Sequence, residues 1–158
     1  MNRVGAALSL SRIRLNQTAI APNQVLDEAG RLFASYEGWD PAHITASLAA
    51  RERLGSTGIG HGVAIPHARL RGLRTAVAGF IRAAMAISFD APDGKPVSEF
   101  LVLLVPEQAT EEHLQMLAEA AQMFNDRAFR DHLHGLRDVQ AVMHAFRDWP
   151  VLQATTQA

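Results

Sequence analysis

Ala76-Val-Ala-Gly-Phe-Ile-Arg-Ala-Ala-Met-Ala-Ile87, then Ala91-Pro-Asp-Gly-Lys-Pro96, then Val97-Ser-Glu-Phe-Leu-Val-Leu-Leu-Val105, is the stretch that decides the fold class. The two flanking runs are too apolar for half-exposed strands and read as buried strands, and Pro-Asp-Gly between them is a turn. An antiparallel pair is the simplest result. Upstream, the pattern changes to helical spacing. Val25, Leu26, Ala29, Leu32, Phe33 and Tyr36 predict a helix over Asn23–Glu37, with Asn23 as N-cap and Gly38 as stop. Asp40-Pro41 opens a second helix that ends at Gly55. Between this helix and the long strands lie four glycines in residues 55–62, which predict a loop, and a short strand at 63–65 that Pro66 stops. Residues 8–15 alternate loosely and predict a kinked extended segment. Downstream, Thr110 caps a helix with Leu114, Leu117, Ala121 and Phe124 on its buried face. Further helices are expected over 126–134 and 136–149. This order favours an α/β fold with a mixed sheet covered by helices over a strictly alternating doubly wound one.

The chain has 158 residues, of which 48% are apolar and 20% charged, and it contains no cysteine. That is one domain's worth of sequence, read as a single unit over 1–150 with a polar tail at 151–158. Thiolate metal sites, cysteine nucleophiles and disulfides are excluded. Fifteen basic and sixteen acidic side chains give a net charge of −1, so no global field favours nucleic acid or an anionic membrane. Arg12 and Arg14 interrupt the apolar stretch from Val4 before it reaches signal-peptide length. A cytoplasmic protein, peripheral to a membrane at most, is expected.

Chemistry concentrates in Arg51-Glu-Arg-Leu-Gly-Ser-Thr-Gly-Ile-Gly-His-Gly-Val-Ala-Ile-Pro-His67-Ala-Arg69. Glycines let backbone N–H groups approach an anion, Ser56 and Thr57 add hydroxyl donors, and Arg51 and Arg53 add charge. His67, just after a proline, is a candidate nucleophile, since a neutral imidazole is available near physiological pH. The alternative is an ordinary turn followed by a histidine. A nucleotide loop is excluded because the stretch has no lysine and lacks the dinucleotide glycine spacing.

Gly55-Ser-Thr-Gly-Ile-Gly60 with Gly62-Val-Ala-Ile-Pro-His67 closely resembles the active-site segment of the enzyme IIA domains of the fructose/mannitol class of the bacterial phosphoenolpyruvate-dependent phosphotransferase system. The similarity is strongest to their stand-alone nitrogen-regulatory form. It continues through Phe89–Gly94, Pro96-Val97, Leu103–Pro106 and Glu112–Leu117. The resemblance implies a three-layer α/β/α domain of the phosphotransferase/anion-transport-like kind, with His67 phosphorylated on Nε2 by a small histidine phosphocarrier. It also implies His113 as the second, charge-stabilising active-site histidine and Arg51 as the active-site arginine. Ser56, Thr57, Gly58, Gly60 and Gly62 would cradle the phosphoryl group, and no metal, nucleotide or other cofactor is required. Regulatory targets such as potassium transport proteins or sensor kinases follow from the nitrogen-regulatory branch. A sugar-specific component passing phosphate to a separate IIB subunit, or a non-phosphorylated anion- or metal-binding module, are the alternatives. The sequence departs from its relatives in having His61 where asparagine is common and Ala68 where glycine is usual. His61 is expected as an exposed loop residue, with an imidazole metal site together with His67 and His113 as the competing reading.

Overall fold

A computed structural model describes residues 2–34, 38–108 and 110–150. Tyr36, expected in the first long helix, and the 151–158 tail lie outside the described residues. The chain runs α1 (Arg3–Ala7), a 3-10 turn (Leu10–Arg12), β1 (Ile13–Gln17), α2 (Pro22–Leu32), α3 (Pro41–Leu54), β2 (Gly58–Gly60), β3 (Val63–Ala64), β4 (His67–Leu70), β5 (Val77–Ile87), β6 (Val97–Pro106), α4 (Glu111–Asn125), α5 (Arg127–Gly135) and α6 (Val139–Asp148).

The long strands form the antiparallel pair that their composition predicts, with Phe80 opposite Leu101 and Arg82 opposite Glu99. Around that pair the sheet is mixed: β1 runs parallel to β5, β3 and β4 run parallel to β6, and β2 returns antiparallel beside β3. Alternation along β6 divides the core in two. Phe100, Val102 and Leu104 pack with α2 and α3, while Leu101 and Leu103 pack with Met116, Met123, Phe124 and Phe146 of α4 and α6. Helices therefore cover both faces, the three-layer α/β/α arrangement.

β3 and β4 lie on one line along β6, with Val63 opposite Glu99 and His67 opposite Leu103. The interruption falls at Ile65-Pro66, where proline has no N–H to donate and the Ile65 N–H is spent on the Thr57 carbonyl at 3.0 Å. Pro66 thus interrupts the strand without ending it. β2 pairs with β3 alone, so among the described residues the outer edge of β4 is left without a strand neighbour.

Several sequence expectations need correction. Residues 3–7 are helical, with Asn2 as cap, and the strand begins only at Ile13. α2 starts one residue before Asn23: Ala21 is the cap and Pro22 takes the first position, where its missing N–H costs nothing, and the helix ends at Leu32. Part of the glycine loop is strand, because backbone pairing to β3 supplies what a glycine sequence lacks in propensity. α4 buries Met116, Ala120, Met123 and Phe124, while Leu114 and Ala121 are exposed, so its buried stripe is rotated from the one expected. α6 starts at Val139 behind the Asp138 cap, not at Leu136. α3 has the Asp40 cap, the Pro41 start and the Gly55 stop expected of it.

Candidate functional site

Strand β4, the last turns of α3 and the first turn of α4 converge on a cavity of about 480 Å³ at the open sheet edge. Its wall includes Ser47 and Arg51 of α3, His67 and Arg69 of β4, and His113 and Leu114 of α4. His67, Arg51 and His113, the last two 16 and 46 residues from His67 along the chain, are thereby brought together. Arg69 is an addition. It follows His67 by two residues in a strand, which puts both on one face, but that spacing has meaning only once β4 is recognised as a strand.

The His67 ring is held in one tautomer. Its Nδ1–H donates to the Ile65 carbonyl at 2.8 Å, so in the neutral ring Nε2 carries the lone pair. Burial pushes the His67 pKa below its ordinary 6.5; the Ile65 hydrogen bond works against this, and Arg51 lowers the pKa further. At neutral pH the ring is therefore uncharged and nucleophilic at Nε2. His113 is held in the opposite sense. The Thr110 N–H donates to its Nδ1 at 3.1 Å, with the Thr110 hydroxyl 3.3 Å away, so a neutral His113 carries its proton on Nε2 as a donor. In their neutral forms His67 thus presents a bare Nε2 and His113 an Nε2–H.

The glycine loop is held from beneath. Arg51 donates to the Gly55 carbonyl at 2.8 Å, and the Glu52 carboxylate accepts from both the N–H and the hydroxyl of Thr57, at 2.8 and 2.7 Å. Thr57 is buried, and the Ser56 hydroxyl donates to the Phe89 carbonyl at 2.7 Å while accepting from the Gly58 N–H. Neither hydroxyl is free to act as the phosphate donor expected of it. Ser56, Thr57, Gly58, Gly60 and Gly62 are not among the residues lining the His67 cavity. Glu52 has a role that the sequence did not assign; its place three residues before Gly55, next to Arg51 and of opposite charge, was the available signal.

His61 and Gly62 form the two-residue connection between β2 and β3, both with positive φ, 58° and 78°. That is the type I′ hairpin geometry, in which asparagine is favoured at the first position. The His61 N–H donates to Asp93 at 3.0 Å, and its ring is exposed beside α4, away from the cavity of His67. Among the described residues no group of three or more His, Asp or Glu side chains is placed to hold a metal ion. Ala68 is an ordinary strand residue opposite Leu104, so no glycine is needed there.

Residues 7–149 match the family described as Phosphoenolpyruvate-dependent sugar phosphotransferase system, EIIA 2. The chain belongs to that family. A nitrogen regulatory protein of Pseudomonas aeruginosa is 38% identical over 143 residues, which is 90% of this chain and 93% of that protein. The crystal structure of nitrogen regulatory protein IIA-Ntr from Neisseria meningitidis superposes with a TM-score of 0.86 at 41% identity, covering 91% of this chain and 99% of that one. The crystal structure of IIA mannitol from Escherichia coli shares the fold, with a TM-score of 0.70 at 17% identity over 87% and 96% of the two chains. As an EIIA component the chain is a phosphotransfer protein of that system. Among the described residues no helix is long and apolar enough to cross a membrane.

Proposed function

We propose that this EIIA chain is a cytoplasmic phosphocarrier of the nitrogen-regulatory branch, accepting a phosphoryl group on Nε2 of His67 from a small histidine phosphocarrier and acting on partner proteins according to its phosphorylation state. What carries the reading is the His67 Nδ1–H bond to the Ile65 carbonyl at 2.8 Å in a ring whose pKa burial lowers. Nε2 attacks the phosphorus of the donor phosphohistidine in line; the donor N–P bond breaks, and the donor imidazole leaves with that electron pair. The proton stays on Nδ1, donated to the Ile65 carbonyl, and that acceptor stabilises the positive charge the ring gains. Arg51 and the Nε2–H of His113 offset the charge on the equatorial oxygens. The Ser56–Gly62 stretch acts as the frame of the site, tied down through Glu52 and Phe89, and residues 1–150 act as one IIA-type unit. The nitrogen-regulatory assignment rests on similarity to the Pseudomonas and Neisseria proteins over nearly their full lengths. Potassium transport proteins or sensor kinases are the class of target this implies.

The test is transfer from phosphoenolpyruvate through the first enzyme and the small phosphocarrier, read by intact mass. Wild type should gain one acid-labile phosphate, His67→Ala none, and His113→Ala the same phosphate more slowly. Failure of wild type to gain phosphate from a donor shown to be charged overturns the reading.

A further inference from the structure

A second cavity, of about 740 Å³, shares no lining residue with the His67 cavity. It lies at the carboxyl ends of the parallel strands β1 and β5, lined there by Leu15, Asn16, Ala83, Ala84 and Ala86 and completed by Ser98, Arg82, His134 and Arg137. Its volume falls within the roughly 300–1,000 Å³ of ligand cavities. We propose that this cavity is a binding site for a small organic or inorganic anion, carrying a carboxylate or a phosphate, held by Arg82, Arg137 and His134.

Arg82 is the main observation. It is a β5 residue only 7% exposed, an expensive place for a guanidinium. Its Nε donates to Glu99, directly opposite in the sheet, and its two terminal nitrogens donate to the Leu136 and Leu133 carbonyls at the end of α5. A guanidinium has five N–H donors, so two have no partner among the described residues, and the side chain forms part of the cavity wall. The charge around the cavity has one sign. Among the described residues no carboxylate lines it; buried Glu99, outside the lining, is bound to Arg82 and lies 3.9 Å from His134. Arg137 is exposed and donates to the His134 carbonyl, and no acid among the described residues pairs with it, so its charge is uncompensated there. Asn16, in left-handed backbone at φ 56°, and Ser98 add neutral donors at the strand ends. Small side chains at 83, 84 and 86 leave the volume open. Buried arginine with spare donors beyond its Glu99 pair, a second uncompensated arginine and a histidine, with no acid in the cavity wall itself, fit an oxyanion better than a cation or an apolar ligand.

The proposal is independent of the phosphocarrier reading, and its test separates the two. Citrate and inorganic phosphate, each titrated into the intact protein in Tris chloride, are followed by calorimetry and by amide NMR shifts. Saturable binding is expected for at least one probe, with shifts at Asn16, Ser98 and Arg137. Binding should weaken about tenfold or more in His134→Ala/Arg137→Ala, the loss of at least one charge-assisted hydrogen bond, and be unchanged in His67→Ala. Whether citrate or phosphate binds more tightly assigns the carboxylate or the phosphate form. Binding that survives the double substitution, that is lost in His67→Ala, or that stays unsaturable at millimolar probe, an adventitious ion only, overturns the proposal. His134→Gln/Arg137→Lys, which retains donors and one charge, should recover part of the affinity if the double-alanine protein is impaired for other reasons.

Discussion

At the residue scale the site depends on keeping one imidazole neutral. Burial disfavours the His67 cation, and Arg51 adds to this, so the folded pKa lies below the unfolded 6.5. As pH falls through 6.5 the unfolded chain takes up this proton first, so stability decreases until the folded ring also protonates, below which the loss is complete. An imidazole NMR titration should place the His67 midpoint below 6.5, and phosphotransfer should fade as pH drops through that midpoint. In Arg51→Gln the midpoint should rise, because a repelling cation is gone, and transfer should slow by on the order of 100-fold, as for loss of one preorganised charge-stabilising donor. An unchanged midpoint would mean that Arg51 is screened from the ring.

At the element scale the glycine loop is kept in place by a helix end. Glu52, in the last turn of α3, takes both polar hydrogens of buried Thr57. Glu52→Ala strands them, at a cost of about 1–3 kcal/mol in urea unfolding. Glu52→Gln should lose much less, since its amide oxygen accepts from the Thr57 N–H and its NH₂ donates to the hydroxyl. The two variants also differ from wild type in charge: Glu52 raises the His67 pKa, so Glu52→Gln should lower the His67 titration point while largely keeping stability. Gly62 is a separate case. An added Cβ has nothing nearer than the Pro96 carbonyl at 3.9 Å, so Gly62→Ala tests the left-handed backbone alone and should cost about 1–2 kcal/mol. The same elements show what the sequence discloses. α3, β5 and β6 are legible because their caps, stops and apolar runs are local. β2 and β4 are not, because pairing with β3 and β6 makes them strands, and Pro66 points the other way. His67 stands out through its motif and His113 through resemblance. Arg69, Glu52 and the inward commitment of the Ser56 and Thr57 hydroxyls depend on contacts that no local pattern encodes.

At the scale of the whole molecule, the two cores share one sheet, and the N-terminal segment ties the outer helices of one face together. Asn2 is 1% exposed; its oxygen accepts from the Gly5 N–H at 2.6 Å as the cap of α1, while its Nδ2 donates to the Phe146 and Trp149 carbonyls at 2.7 and 3.0 Å at the end of α6. The next residues grip α4: the Val4 N–H donates to buried Glu119, and Arg3 to Gln115. The helix bearing His113 is thus braced against α6 through the N-terminal segment, in which Asn2 serves the start of α1 and the end of α6 at once while Arg3 and Val4 hold α4. Helix-cap preferences rank Asp with Asn. Here the two should part, because aspartate keeps the acceptor for Gly5 but loses both donors and sets a buried carboxylate against two carbonyl oxygens. Asn2→Ala should cost about 1–3 kcal/mol by leaving those groups unpaired, and Asn2→Asp more than that at neutral pH. Acid should narrow the gap, since protonating the introduced carboxyl restores one donor. Urea midpoints of wild type and the two variants at pH 7 and pH 5 decide it: an Asn2→Asp protein more stable than Asn2→Ala at pH 7 would mean that the cap outweighs the link to α6, and that the N-terminal segment does not brace the two helices.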